Sequence, residues 1–198
     1  MIMKLTTITQ VSVDGVMQHH NTAGFERGGW HVGHSDEESK AFMEQVYQDA
    51  DAHLLGRRTY DEFAGFWGAM DYPGGGPIAD SLNGRPKYVA SRTLTEATWA
   101  GTTVLSGDLA AAIAELKAQG DGELLVTGSG TLARWLLAND LVDEMKLVTF
   151  PVVVGQGARL FPADGPDIGL GLIESRCFRK GVTCQSYRPS GRPRYVTA

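Results

Sequence analysis

Apolar and polar residues follow strand spacing and helix spacing in turn along the chain. Residues 4–13, rich in Thr, Ile and Val, predict a strand that ends at Asp14-Gly15. Ser35 begins a capping box that is followed by apolar residues at helical spacing, which predicts the first helix. Further strands are predicted at 51–55, 87–90, 102–105 and 123–127, with helices from 57, over 108–119 and over 131–138. This alternation predicts an α/β fold with a largely parallel sheet covered on both faces.

The last part of the chain follows a different pattern. The predicted strand 142–150 and the hairpin-like segment 171–188 are separated by Pro- and Gly-rich residues without helical periodicity. We therefore expect antiparallel strands at one edge, which makes the sheet mixed. Residues 71–86 are also rich in Gly and Pro, and we expect a connection there rather than a linker. The sequence predicts a single domain over residues 1–198.

Composition narrows the class of protein. The chain has 198 residues, of which 42% are hydrophobic and 21% charged, as in ordinary globular domains. No apolar run reaches the roughly 18 residues of a membrane span, and the start lacks a signal peptide's apolar core. A net charge of -5 argues against a general nucleic-acid surface. We expect a cytoplasmic protein with a small-molecule substrate and neither a membrane nor a nucleic-acid partner.

Two cysteines, Cys177 and Cys184, flank Lys180-Gly181. A two-residue turn at that pair would place them directly opposite each other on a hairpin, so a disulfide is geometrically conceivable. For a cytoplasmic protein, two reduced and half-buried thiols are the expected alternative.

Two segments share one design, in which a strand runs into glycine and then directly into a helix. They are residues 56–59 (GRRT) and 128–131 (GSGT). The first turn of a helix presents unpaired N–H groups, and a preceding glycine lets a phosphate approach them. On neighbouring parallel strands the two turns would lie side by side at the carboxyl edge and fit a pyrophosphate.

Arginines near the same edge favour NADP(H) over NAD(H), because guanidinium groups bind a phosphate monoester bidentately. These arginines are Arg57, Arg58 and, after the next strand, Arg92 of the Ser91-Arg92 pair.

The second glycine segment also satisfies the G-x-G-x-x-A pattern of dinucleotide-binding Rossmann folds. That pattern belongs on the first strand, with an acidic residue about 20 positions later. Here the corresponding region reads Val148-Thr149-Phe150-Pro151, so the context argues against a Rossmann fold. Taken alone, each glycine segment is also ordinary punctuation before a helix.

The Gly- and His-rich segment from Met17 to His34, called the His-rich loop below, lacks helical or strand periodicity. Loops of this length are commonly functional, and we expect a lid that is mobile until cofactor orders the few residues nearest to it. Its histidines could suggest a metal site, since two of them are three residues apart: His19, His20, His31 and His34. No cysteine or ordered carboxylate completes a tetrahedral set, so no metal is expected. Phe25 and Trp30 either cover a planar substrate or pin the loop to the core.

Asp14 is the candidate catalytic residue, because it lies where the first strand breaks into the loop and a C=N or C=O acceptor needs a proton donor. The alternative is that Asp14-Gly15 is simply a turn in which the carboxylate caps its own backbone. Three acidic residues near the start of the first helix, Asp36 to Glu38, are explained by capping as well as by binding a pterin ring.

Five segments together resemble the dihydrofolate reductase-like family: 54–63 (LLGRRTYDEF), 86–94 (PKYVASRTL), 126–137 (VTGSGTLARWLL), 141–144 (LVDE) and 151–161 (PVVVGQGARLF). They resemble most closely the branch of the reductase domain of the bifunctional riboflavin-biosynthesis deaminase-reductase. The resemblance covers nearly the whole chain. It implies a three-layer αβα sandwich, NADPH as hydride donor and often a homodimer.

The resemblance also implies which residues meet the cofactor. Four residues match the segment near the adenosine end (Gly56, Arg57, Arg58, Thr59), two match the segment near the 2′-phosphate (Ser91, Arg92), and five match the pyrophosphate segment (Gly128, Ser129, Gly130, Thr131, Leu132). The chain departs from the branch at two places. Thr127 stands where a glutamate typically meets the substrate, and Ser129 replaces the second glycine.

These expectations combine into an NADPH-dependent oxidoreductase. It would resemble dihydrofolate reductase and 5-amino-6-(5-phosphoribosylamino)uracil reductase and transfer a hydride to a small planar or heterocyclic acceptor. The deaminase half is not expected, since no H-x-E with P-C-x-x-C occurs in the chain. The alternative is a non-catalytic nucleotide-binding or scaffold protein on the same fold, which the missing glutamate favours and the long loop opposes.

Overall fold

In the computed structural model, residues 2–69 and 75–196 are described and contain eight strands and five helices. The strands are β1 (Lys4–Ser12), β2 (Ala52–Gly56), β3 (Lys87–Ala90), β4 (Thr102–Leu105), β5 (Glu123–Thr127), β6 (Glu144–Phe150), β7 (Leu170–Cys177) and β8 (Thr183–Pro189). The helices are α1 (Glu37–Asp49), α2 (Arg57–Phe66), α3 (Pro77–Gly84), α4 (Leu109–Ala118) and α5 (Gly130–Ala138). Within these described ranges, every helix is too short or too polar to cross a bilayer.

The strands form one sheet in the order β4-β3-β2-β5-β1-β6-β8-β7. Strands β1 to β6 pair in parallel, whereas β8 runs antiparallel to both β6 and β7. This confirms the predicted mixed, mostly parallel sheet with an antiparallel hairpin at its C-terminal edge. The sheet and the helices on its two faces form the αβα sandwich that the resemblance implied.

Helices cover both faces of the sheet. On one face, Tyr47 of α1, Tyr60 of α2 and Leu82 of α3 join the buried apolar cluster. On the other face, Ile113 of α4 and Leu136 of α5 contribute to a second cluster. Strands with helices on both sides must be apolar in both directions, which explains why β2 and β5 are nearly continuous apolar runs.

Two local predictions are corrected by the structure. The N-cap of α1 is Asp36 rather than Ser35: its carboxylate accepts a hydrogen bond from the Ser39 N–H, and the Ser39 hydroxyl accepts one from the Asp36 N–H. Part of the predicted connection 71–86 is the helix α3, which begins with Pro77 at its first position. Residues 70–74 of that connection lie outside the described part of the chain.

The cysteines are also placed differently from the prediction. Cys177 pairs with Thr183, and Cys184 pairs with Arg176, so the register differs by one residue from the predicted pairing. One residue of slip sends the two side chains to opposite faces of the hairpin. Both cysteines are free; Cys184 is buried as expected for a core thiol, but Cys177 is exposed.

A buried polar cluster lies near the beginnings of β2 and β3. The Lys87 ammonium group donates to the carbonyls of Leu82 (2.8 Å) and Arg85 (3.1 Å), and these bonds hold the end of α3. His53, the register partner of Lys87, lies within 3.0 Å of the Ser81 hydroxyl. Burial, and next the nearby Lys87 charge, lower the pKa of His53 to about 4.

Candidate functional site

Five neighbouring parallel strands, β3, β2, β5, β1 and β6, end at the same edge of the sheet. This is the edge where open α/β sheets bind ligands. The segments that follow these strands fall into two halves. We call residues 56–59, 91–92 and 128–132 the β2–β5 half, and residues 12–34 and 150–161 the β1–β6 half. All eleven predicted cofactor residues lie in the first half, and Asp14 lies in the second.

Ser129 joins the two glycine segments of the β2–β5 half. Its hydroxyl accepts a hydrogen bond from the Gly56 N–H (2.9 Å) and donates one to the Thr59 hydroxyl (2.6 Å). A side chain at position 56 would begin 2.5 Å from the Ser129 hydroxyl oxygen, so glycine is required there. The structure therefore brings the two helix starts together, as the sequence predicted. The hydroxyl of Ser129, the residue that stands in place of the family's second glycine, connects them.

The β5–α5 turn has an unusual backbone. Gly128 and Ser129 both adopt left-handed conformations, with φ of 59° and 54°. Ser129 has a Cβ atom and therefore bears the cost of this conformation, about 1 kcal/mol or more. At position 130, a side chain would meet the ends of the flexible Met17 and Arg134 side chains, so the Met17 side chain of the His-rich loop would have to move to make room for it.

The starts of α2 and α5 leave backbone donors open. Neither helix has a side-chain hydrogen bond that caps its N-terminus. Among the described residues, nothing accepts from the first-turn N–H groups of Thr131 and Leu132. The Leu132 side chain is buried in the core, so only its backbone can meet a ligand. Two adjacent helix starts with open N–H groups form a cradle for an anion.

The arginines of this half differ in how they are engaged. Arg57 binds Asp61, four residues further along α2, through its Nε at 2.9 Å. Arg58 and Arg92 are exposed and make no hydrogen bond or ion pair within residues 2–69 and 75–196. The Ser91 hydroxyl accepts from the N–H groups of Thr93 and Leu94 and orders the turn after β3. Arg58 and Arg92 are thus the guanidinium groups available to a ligand.

Asp14 is the centre of the β1–β6 half. Its carboxylate accepts hydrogen bonds from the Ser12 hydroxyl (2.7 Å) and from the N–H groups of Val154 (2.9 Å) and Gly155 (2.8 Å). It also pairs with Arg159 at 3.3 Å. The Ser12 hydroxyl, followed by these backbone donors, lowers the pKa of Asp14 well below its usual range. An ionised carboxylate with its oxygens engaged does not donate a proton, so the geometry favours a structural role over the expected catalytic one.

The His-rich loop has more apolar contacts than its sequence indicated. Phe25, 3% exposed, packs against Val16 and Val154, and Arg27 donates to the Val154 carbonyl. Residues 151–161 supply these partners from about 130 positions away. Of the two roles left open for Phe25, the structure shows that it pins the loop to the core.

Four rings meet where the His-rich loop crosses the end of β6. His19 and His31 stack with their centroids 4.5 Å apart, and Trp30 meets Phe150 edge to face at 5.6 Å. Burial, and then the neighbouring His31, lower the pKa of His19 to about 4, so its imidazole is neutral at pH 7. One ring nitrogen each of His19 and His31 is buried without a partner among the described residues.

A cavity of about 190 Å³ lies between α1 and the sheet, lined by Gln10, Met43 and Phe150 among others. The sequence analysis did not single out Phe150 as a site residue, and it considered His19 only as a possible metal ligand. The feature of the sequence that could have indicated Phe150 is its position at the end of a predicted strand, directly before Pro151. The three acidic residues near α1 were explained by capping, and the structure shows Asp36 in that role.

Thr127, the residue at the family's glutamate position, ends β5 beside α1. Its hydroxyl oxygen is buried and has no hydrogen-bond partner of acceptable geometry among the described residues. The Tyr47 phenol lies beside it, and burial raises the pKa of that phenol to about 12. The position therefore has two neutral hydroxyl groups instead of a carboxylate.

Within the described ranges, no three His, Cys, Asp or Glu side chains are grouped as metal ligands.

Comparison with known proteins places this geometry in a family. The family model described as "RibD C-terminal domain" matches residues 3–184. An uncharacterized protein, YyaP of Bacillus subtilis, is 25% identical over 186 residues, which are 91% of this chain and 92% of that protein.

Solved structures agree with this match. A putative riboflavin biosynthesis protein from Shewanella sp. PV-4 is 25% identical, with a TM-score of 0.68 over 95% of this chain and 99% of that one. A pyrimidine reductase-like protein from Corynebacterium diphtheriae is 15% identical, with a TM-score of 0.64 over 94% and 92% of the two chains. RibD of Acinetobacter baumannii is 16% identical, with a TM-score of 0.63 over 96% of this chain and 58% of that one. The chain belongs to the RibD C-terminal, dihydrofolate reductase-like domain family.

Proposed function

We propose that this protein is an NADPH-dependent reductase that transfers a hydride to a small planar or heterocyclic acceptor. The observation that carries the proposal is the pair of open helix starts joined through Ser129. Adjacent N–H groups with no acceptor among the described residues suit the two phosphates of a dinucleotide, which bring the negative charge that helix N-termini favour.

The residues of the β2–β5 half take three roles in this proposal. Backbone groups of residues 128–132 hold the pyrophosphate, and residues 56–59 lie near the adenosine end. The exposed Arg92, together with Ser91, meets the 2′-phosphate, and Arg58 adds charge. A phosphate monoester is present in NADPH and missing in NADH, so these arginines select the phosphorylated cofactor.

The β1–β6 half shapes the acceptor site. When bound, the cofactor supplies the hydride. The chain's own groups orient the acceptor and exclude water: Trp30, which packs edge to face against the buried Phe150 ring, offers an aromatic surface to a planar ring, and the His-rich loop covers the end of β6. Asp14 keeps the loops in place rather than acting on the acceptor.

Thr127 narrows the acceptor class. The neutral Thr127 hydroxyl, beside the Tyr47 phenol, favours a neutral polar group of the acceptor over a cation. The pyrimidine reductase-like and riboflavin biosynthesis proteins of similar structure support a heterocyclic acceptor. The substitution at position 127 indicates an acceptor different from the one that the family's glutamate meets.

The proposal is tested by adding NADPH and following its oxidation in the presence of pterins, aminopyrimidines and quinones in turn. We expect one of these classes to be reduced. The test variant is Arg92→Ala, and its matched control is Arg85→Ala, before the other end of β3. We expect Arg92→Ala to slow NADPH oxidation at limiting NADPH and Arg85→Ala to leave the rate unchanged. Tight NADPH binding without oxidation by any acceptor would instead support the non-catalytic nucleotide-binding alternative.

A further inference from the structure

The Arg134 side chain lies across the boundary between the two halves of the carboxyl edge. A helical side chain leans toward the N-terminus of its helix, so residue 134, one turn inside α5, covers the first turn of that helix. A Cβ atom at position 130 would lie 3.1 Å from the Arg134 Nη1 atom, and the Nη2 atom is 3.4 Å from the Thr131 hydroxyl oxygen. The guanidinium group therefore lies directly beside the open start of α5.

The same guanidinium group holds the loop that follows β6. Its Nη1 atom donates to the carbonyl oxygens of Leu160 (3.0 Å) and Arg159 (3.3 Å). Leu160 is buried, and its N–H donates to the Gly15 carbonyl (3.0 Å). Arg134 is thus connected to both segments of the β1–β6 half.

Met17, the first residue of the His-rich loop, reaches the same point of α5. Its sulfur atom occupies the space in which a side chain at position 130 would begin. The Met17 N–H donates to the Ala158 carbonyl at 2.8 Å. The start of the His-rich loop and residues 158–160 therefore meet beside the first turn of α5.

The fold does not neutralise the positive charge of Arg134. Its partners are neutral carbonyl and hydroxyl groups, and it makes no ion pair with a carboxylate in the part of the chain that the structure describes. The first turn of α5 contains no acidic residue. A cation beside a helix N-terminus is unfavourable, because both are positive. An anion bound at this point removes the repulsion, and the guanidinium group offers it donors that the loop carbonyls do not occupy.

We propose that Arg134 binds the pyrophosphate of the dinucleotide and thereby makes cofactor binding order the acceptor side of the site. The inference rests on the proposed function. Toward the acceptor, Arg134 is a positioning residue, since it acts only through residues 158–160 and the His-rich loop. Because one group bonds both the anion and the loop carbonyls, the bound cofactor stabilises the loop, and the ordered loop strengthens cofactor binding by the same factor.

The first test measures the affinity for NADPH and for NADH by isothermal titration calorimetry, with circular dichroism to confirm folding. We expect Arg134→Ala to bind both dinucleotides about 10- to 100-fold more weakly, because the pyrophosphate is common to both and the lost bond is charge-assisted. The matched control, Arg85→Ala, removes a positive charge outside the site and should bind both like the wild type.

The second test follows hydrogen exchange of residues 158–161 with and without saturating NADPH. In the wild type we expect NADPH to slow this exchange about 10-fold, the effect of one charge-assisted bond. We expect no slowing in Arg134→Ala, even at saturation. Arg134→Lys keeps the charge but not the planar fork, so it should bind NADPH more tightly than the alanine variant without the full slowing. The lysine variant carries both tests if the alanine variant does not fold.

A wild type that binds neither dinucleotide would overturn this inference together with the proposed function. If the wild type binds them and Arg134→Ala binds both equally well, this inference alone is overturned. A loss of affinity confined to NADPH would place Arg134 at the 2′-phosphate and contradict the pyrophosphate assignment. Equal slowing of exchange in the wild type and Arg134→Ala would contradict the connection to the loop.

Discussion

The two halves of the carboxyl edge use their polar groups in opposite ways. In the β1–β6 half, the Asp14 carboxylate is engaged by a hydroxyl, two backbone N–H groups and Arg159. In the β2–β5 half, the first-turn N–H groups of α5 and the side chains of Arg58 and Arg92 have no partners among the described residues. Polar groups that already have hydrogen-bond partners hold the loops in position. Polar groups without such partners are free to bind a ligand.

Ser129 shows that the β2–β5 half is nevertheless built with precision. Its hydroxyl is engaged on both sides, so the helix starts are held together before any ligand arrives. A site that is already organised avoids part of the entropy cost of binding. The comparison therefore predicts that changes in the β1–β6 half affect stability first, and changes in the β2–β5 half affect cofactor affinity first.

The largest expected effect is that of Asp14→Ala. The variant loses several charge-assisted hydrogen bonds and leaves loop N–H groups unpaired, so we expect a loss of about 2–4 kcal/mol in unfolding free energy. Chemical denaturation measures it, with hydrogen exchange over residues 151–161 as the local readout. The control Asp61→Ala removes the exposed carboxylate that pairs with Arg57 of the β2–β5 half and should change stability by less than about 1 kcal/mol. Equal effects of the two variants would contradict the comparison.

Acidification is expected to have an effect of comparable size, divided between two buried histidines. The pKa values of His19 and His53 are lowered to about 4 from the ordinary 6.5. The unfolded chain therefore takes up protons first as the pH falls. The stabilisation is complete above pH 6.5 and is lost between about 6.5 and 4, by up to about 3 kcal/mol per histidine.

Unfolding free energies measured at pH 7 and pH 4.5 test this loss of stability. Substitution of each histidine in turn separates the contribution of His19 in the His-rich loop from that of His53 in β2. His19→Gln should flatten the pH dependence of hydrogen exchange in the His-rich loop, and His53→Gln should flatten that of global unfolding. The control is His34→Gln, at the end of the same loop. Stability that does not change from pH 7 to pH 4.5 would show that neither buried histidine resists protonation.

The arginine predictions concern affinity alone. Arg92→Ala should weaken NADPH binding about 10- to 100-fold, because it removes a charge-assisted bond to the 2′-phosphate, and it should leave NADH binding unchanged. Intrinsic tryptophan fluorescence reports both titrations. Arg85→Ala should change neither affinity. A parallel loss of affinity for NADPH and NADH would mean that Arg92 contacts something other than the 2′-phosphate.

The smallest expected effect is at Ser129. Ser129→Ala removes two hydrogen bonds but keeps a side chain in the left-handed conformation, and we expect it to cost about 1 kcal/mol of stability. Ser129→Gly loses the same bonds but relieves the backbone strain, so its cost should be smaller. Thermal unfolding ranks the two variants. A glycine variant less stable than the alanine variant would show that the backbone at this turn is not strained.

The strands and helices with clear periodicity could be predicted from the sequence. Strands 87–90, 102–105 and 123–127 have the predicted bounds, because their apolar runs are bounded by turn residues. Helix α3 was missed, since Pro77 and the nearby glycines indicate a turn until one knows that proline suits the first position of a helix. The predicted hairpin register was wrong by one residue, because the register depends on the turn geometry and not on the residue pattern alone.

The two halves of the site differed in how far the sequence could predict them. The glycine segments of the β2–β5 half are local, because a strand, a glycine and a helix start are adjacent in the chain. The role of Asp14 depends on Val154 and Gly155, about 140 positions away, so no local pattern reveals it. The same separation hides the contact of Trp30 with Phe150.

The central claim is that the open groups of the β2–β5 half bind the phosphates of NADPH. Its most direct test is a titration of the wild-type protein with NADPH and with NADH, followed by tryptophan fluorescence. We predict binding of both nucleotides through the shared pyrophosphate and at least about 10-fold tighter binding of NADPH, from one or more charge-assisted bonds to the 2′-phosphate. Equal affinities, or no binding of either nucleotide, would contradict the claim.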